Sequence, residues 1–218
     1  MKLERREGFR AQDFIASGAN AVALAALAAW PHWHGGCLAL VGPAGSGKSH
    51  LAHTWAARVG AQVLTAAAAV DLRALEGGPV VLEDADRGAH DEDLFHLINM
   101  AAVEGGGLLL TARTPPSVWP AALPDLRSRL NAMRVAELAE PDDAILGAVF
   151  EKFFRERNIK PADDLIPYLL NRIERSVPRA LEIVTRLDEA SDADGRAVSK
   201  ALARQILDSE APSLDLFE

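Results

Sequence analysis

The chain has 218 residues, 49% of them hydrophobic, which is enough to bury a substantial core and suits one larger domain with a small one appended. A formal charge of -8 excludes a protein that wraps nucleic acid by charge alone, because that affinity comes from lysine and arginine displacing counterions. The one cysteine, Cys37, excludes an internal disulfide, fits a reducing compartment such as the cytoplasm, and reads as a small apolar residue opening a buried strand.

In chain order, the Ala-rich stretch at 19–33 comes first. Asn20, Pro31 and His32 bound it well short of the roughly 20 apolar residues that span a bilayer, and it lacks the cleavage site of a signal peptide. Five short apolar runs, at residues 37–41, 62–65, 80–83, 108–111 and 134–138, predict strands that alternate with helical patterns. Their apolarity is continuous, the mark of strands covered on both faces, so the expectation for residues 1–140 is an α/β core built on a five-stranded parallel sheet.

The first strand runs into Gly42-Pro43-Ala44-Gly45-Ser46-Gly47-Lys48-Ser49, a complete phosphate-binding loop. Gly42, Gly45 and Gly47 permit backbone conformations that aim amide hydrogens inward, and a helix starting near Lys48 adds its positive N-terminal end. That helix continues with His50, expected with the loop among the nucleotide-binding residues, and carries Leu51, Trp55 and Val59 before stopping at Gly60. With ATP or ADP as the expected nucleotide, Lys48 is expected on the β-phosphate and, in ATP, the γ-phosphate, and Ser49 on Mg2+. The third strand ends in Glu83-Asp84, two acids at a strand's C-terminal edge, the pattern of a Walker B element. There the first acid, Glu83, helps hold the magnesium shell, and the second, Asp84, orients or activates the attacking water. The histidines do not suggest zinc: His32 and His34 flank Trp33, and His50 and His53 share one helix without cysteines nearby.

After Glu140-Pro141-Asp142 the pattern turns wholly helical, predicting a separate helical domain over 141–209. Ile145, Leu146, Val149, Phe150, Phe153 and Phe154 form one apolar stripe, and Leu165, Ile166, Leu169, Leu170 and Ile173 a second. Further stripes run through Leu181, Ile183, Val184 and Leu187, and through Leu202, Ile206 and Leu207. All of these are core-forming faces that need no cofactor. Residues 210–218 leave the pattern and read as a flexible tail ending in Ser213-Leu214-Asp215-Leu216-Phe217-Glu218.

Taken together, these motifs resemble the DnaA-type clade of AAA+ proteins, and within it the Hda-type regulators of replication initiation. Phe14-Ile15-Ala16-Ser17-Gly18-Ala19-Asn20 resembles the family's opening box, which implies that Ile15 and Asn20 lie near adenine. The resemblance makes Thr111 the sensor 1 residue and Arg129, in Leu126-Arg127-Ser128-Arg129-Leu130, the arginine finger. It makes Arg179, in Ser176-Val177-Pro178-Arg179, the sensor 2 residue reaching back from the helical lid. On local pattern alone, Arg127 and Arg129 fit equally well as decoration of a surface helix, and Arg179 as a helix cap or a partner of Glu182. Ser213, Leu214, Asp215, Leu216 and Phe217 resemble the peptides that dock on the bacterial sliding clamp, with Ser213 in place of the usual Gln.

Two departures accompany the resemblance. Glu83 stands where the family commonly has Asp, which bears on magnesium geometry and makes weak or no intrinsic ATPase the expectation. The chain also leaves no room after the lid for the helix-turn-helix domain of an initiator, so a full initiator is not expected. The implied function is regulatory. A nucleotide-loaded copy on the sliding clamp would engage the DnaA initiator, supply Arg129 to its bound ATP and switch initiation off; a homodimer is left open. The competing expectations are a helicase-loader-like adaptor and a small-molecule P-loop kinase.

Overall fold

The computed structural model describes residues 16–66, 75 and 77–209. The chain divides into two compact units, one running to Glu140 and one from Pro141. In the first, strands β1 (Cys37–Val41), β2 (Gln62–Thr65), β3 (Pro79–Glu83), β4 (Gly107–Ala112) and β5 (Arg134–Glu137) form one sheet in the order β2-β3-β4-β1-β5. Every neighbouring pair is parallel. The expected strands are all present, with β3 and β4 slightly longer and β5 one residue shorter than the apolar runs.

Alternation along the strands builds two cores. Ala39, Val41, Leu82, Leu108 and Leu110 face helices α3 (Asp91–Ala101) and α4 (Pro124–Ala132), packing on Leu94, Leu97, Ile98, Leu126 and Leu130. Leu38, Leu40, Val81, Leu109 and Ala136 face the other way, onto Ala23 and Leu27 of α1 (Ala21–Ala28) and Leu51 and Trp55 of α2 (Lys48–Val59). Each fully buried Leu of these layers contributes about 1.5–3 kcal/mol by leaving water. Burial on both faces holds for β1, β4 and the middle of β3 but not for the edges. Gln62, Val63 and Thr65 of β2 and Arg134, Val135 and Glu137 of β5 are exposed, because an edge strand has a neighbour on one side alone. At the far end of α2, Trp55 stacks on Trp33 at 5.0 Å and meets the edge of Trp30 at 5.8 Å.

The second unit holds helices α5 (Asp143–Glu156), α6 (Leu165–Leu170), α7 (Val177–Asp194) and α8 (Lys200–Asp208), with no strand among its described residues. Its core is the apolar stripes, led by Leu146, Phe150, Phe154, Leu165, Leu169, Ile183 and Leu187. Side chains start three of the helices: Asp142 Oδ1 accepts from Ile145 N at 2.9 Å, Ser176 Oγ from Arg179 N at 3.3 Å, and Ser199 Oγ from Leu202 N at 3.4 Å. Ile173, placed by its spacing on the α6 stripe, lies in the turn beyond that helix and is still buried. No helix among the described residues is long and apolar enough to cross a membrane.

Candidate functional site

The loop that leaves β1 is shaped by its glycines. A Cβ on Gly42 would sit 2.4 Å from the carbonyl oxygen of Leu138, so the chain can pass there only without a side chain. Gly47 has φ +95°, the left-handed region that glycine enters without steric cost, and it is the residue from which α2 starts. The first-turn amides of α2 therefore face the loop with the helix's positive end behind them. Lys48, 8% exposed, closes the loop on itself: Nζ donates to Gly42 O at 2.8 Å and Pro43 O at 2.7 Å. Burial holds its pKa below the ordinary lysine value, with the Arg113 charge pushing the same way and Asp84 and Asp86 opposing. Ser46 Oγ is buried and lacks a hydrogen-bond partner among the described residues, whereas Pro43, Ala44, Ser49 and the guanidinium-bearing Arg113 are exposed. His50 is half-buried in the first turn of α2.

Parallel pairing brings the other chemistry to the same edge of the sheet. Val41 registers with Ala112, and Gly42 N donates to Ala112 O at 3.2 Å, so the residues after β4 run alongside the loop. Thr111 is 1% exposed, and its Oγ1 accepts from Asp84 N at 3.1 Å while its carbonyl accepts from Ala85 N at 2.9 Å. That clamp holds Asp84 at φ +51°, a conformation Asp tolerates better than most side chains, with its carboxylate exposed. Glu83 Oε2 lies 3.1 Å from His53 Nε2 of α2, and Glu83 Oε1 is buried without a hydrogen-bond partner among the described residues. Asp86 ties the next turn down: its Oδ2 accepts from Arg113 N at 2.8 Å and Thr114 N at 3.2 Å.

These donors fit a magnesium-nucleotide. The orphaned Glu83 Oε1 and Ser46 Oγ call for a donor and a polar partner respectively, and the exposed Ser49 hydroxyl and loop amides are an oxygen-and-anion set of the kind Mg2+ and phosphate use. His53, Asp86 and Arg113 were not singled out by the sequence. For His53 a signal existed, since it lies four residues after Ser49 and so on the same face of α2.

The remaining expected residues are dispersed. Asn20 is buried beside α1, where Oδ1 accepts from Ser17 N at 3.0 Å and closes the turn of the opening box. Arg129 is exposed in the last turn of α4, its guanidinium 5.1 Å over the Phe95 ring. Burial pushes the Cys37 thiol at the start of β1 up to about 11, with the Arg129 charge opposing that rise. Neighbouring Arg127 is committed locally, with Nη2 donating to Ala121 O at 2.7 Å. Arg179 lies in the first turn of α7 in the second unit, and its Nη1 is 2.9 Å from Glu182 Oε2, the local pairing that its spacing allowed. Ile15 and the tail residues Ser213, Leu214, Asp215, Leu216 and Phe217 lie outside the described residues.

No protein-family model matches the sequence. Domain III of the Thermotoga maritima replication initiation protein DnaA superposes with a TM-score of 0.74, covering 92% of this chain and 96% of that one at 17% identity. The fold is that of DnaA domain III. The expected α/β class, with its five-stranded parallel sheet and C-terminal helices, is therefore the class the chain adopts. A replication initiator DnaA bound to AMPPCP and single-stranded DNA shares the DnaA-type fold with a TM-score of 0.64, over 84% of this chain and 67% of that one at 18% identity. In sequence, the chromosomal replication initiator protein DnaA of Thermomicrobium roseum is 23% identical over 116 residues. That stretch is 53% of this chain and 25% of the relative, so the match to the curated relative spans about a quarter of its length.

Proposed function

We propose that the chain is a nucleotide-bound regulator of chromosome replication initiation, of the Hda type, which docks on the sliding clamp and stimulates ATP hydrolysis by the DnaA initiator. The observation that carries this reading is a separation within the first unit. The phosphate-binding loop, Glu83, Asp84 and Thr111 gather at the C-terminal edge of the sheet, whereas Arg129 is exposed in the last turn of α4, its guanidinium over the Phe95 ring of α3. An arginine so placed serves a neighbour's phosphates rather than its own, and its planar fork suits phosphate oxygens.

In the chain's own site, Lys48 and the loop amides bind the phosphates of ADP or ATP. Ser49 and Glu83 hold Mg2+, which when bound neutralises phosphate charge. Asp84, whose backbone is fixed by Thr111, is the residue for an attacking water. The nucleotide serves to lock a competent shape, so fast hydrolysis by the chain itself is not required. Residues 213–217 supply Leu216 and Phe217 as apolar anchors for the clamp.

The test is DnaA-ATP turnover in the presence of this protein, clamp and DNA, each omitted in turn. Stimulation is expected to need all three. Arg129→Ala should keep nucleotide affinity and clamp binding yet lose most of the stimulation, since an arginine supplied in trans contributes up to about 10³–10⁵ in rate. Undiminished stimulation by Arg129→Ala refutes the mechanism.

A further inference from the structure

Glu83 is held in an unusual way. Its Oε2 is engaged by His53 Nε2 at 3.1 Å across thirty positions of sequence, the two side chains being 17% and 30% exposed respectively. Its Oε1 is buried and takes no hydrogen bond from any described residue. The carboxylate is thus divided between one oxygen tied to the protein and one oxygen left for something else. His53 is four residues after Ser49, so the tie is made on the face of α2 that also carries the magnesium-binding hydroxyl, one turn further along the helix.

We propose that His53 is a positioning residue for the magnesium site: by holding Oε2 of Glu83 it leaves Oε1 as the single, fixed acceptor for a cation-bound water. This deepens the nucleotide-site reading above and rests on it. Mg2+ demands near-ideal octahedral geometry, keeps several of its waters, and is held through one or two carboxylates together with substrate phosphates. A glutamate with three free torsions meets that demand poorly, because it can also swing away or offer both oxygens. A second partner on the far oxygen removes those alternatives. Partners of this kind behind a metal-binding group are worth about 10- to 100-fold in metal affinity.

The test is ADP affinity of the full chain, measured by calorimetry in magnesium and again in EDTA, for wild type, His53→Ala and His53→Gln. Wild type is expected to bind more tightly with magnesium. His53→Ala should bind as wild type does in EDTA but lose about 10-fold or more of the magnesium-dependent gain. His53→Gln, whose amide can still donate to Oε2, should recover much of it. Melting temperatures without nucleotide check that each variant is folded, and a variant that is unfolded gives way to the Gln comparison. If His53→Ala keeps the full magnesium gain, or loses affinity equally in EDTA, the positioning role is overturned while the nucleotide site stands. A wild-type chain that binds ADP under neither condition overturns the nucleotide site and this inference with it.

Discussion

Lys48 is an ammonium kept almost out of water, with the carbonyls of Gly42 and Pro43 as its partners. Burial favours its neutral form and so lowers its pKa, and a phosphate brought alongside favours the charged form and raises it again. Nucleotide binding must therefore take up protons in a pH window that lies between the lowered pKa and the ordinary lysine value of about 10.4. The expected result is an affinity that declines as pH rises through that window, with calorimetric enthalpies that diverge between buffers of different ionisation enthalpy. Lys48→Ala should bind weakly and show neither effect. The glycines and Lys48 were legible in the sequence because the demand they meet is local, made by one loop of backbone. Asp86 was not, and of His53 only its place on the Ser49 face of α2 was, because each acts on a partner about thirty residues away that only the fold brings near: His53 on Glu83, and Asp86 on Arg113 and Thr114.

The elements follow from the apolar pattern where burial is uniform and part from it where burial is not. β1 and β4 are buried along their whole length, so their runs announce them and mark their ends to within two residues. β2 and β5 are found by the same runs, yet most of their residues are exposed, because position at a sheet edge is a property of strand order that no single strand encodes. In the helical unit the boundaries are set by side-chain caps, which can be tested one by one. Ser176, 7% exposed, begins α7 and with it the turn that carries Arg179. Ser176→Ala is expected to cost about 1 kcal/mol, read as a lower midpoint in urea with an unchanged slope. A change well below half of that would mean that Val177 and Pro178 start the helix unaided.

At the scale of the whole chain, the two units have separate cores: none of the residues that fill the helical one belongs to either layer of the sheet. Residues 141–209, expressed alone, are accordingly expected to give a helical circular dichroism spectrum and a cooperative, modest melting transition, as small domains of this size do. A helical signal that fades without a transition would mean that this core is incomplete by itself. The division at Pro141 was legible because composition changes there, from alternating strands and helices to helical stripes alone. The placement of Arg129 over the Phe95 ring was not, since it depends on how α4 packs beside α3. The helix that opens at the phosphate loop closes against an indole cluster, with Trp55 stacked on Trp33 and edge-on to Trp30. The fourth tryptophan, Trp119, donates to Thr114 O at 3.0 Å, in the turn that Asp86 fixes beside the same loop. The molecule thus carries intrinsic fluorophores at both supports of its phosphate loop, and a small displacement of either changes its emission without any attached dye.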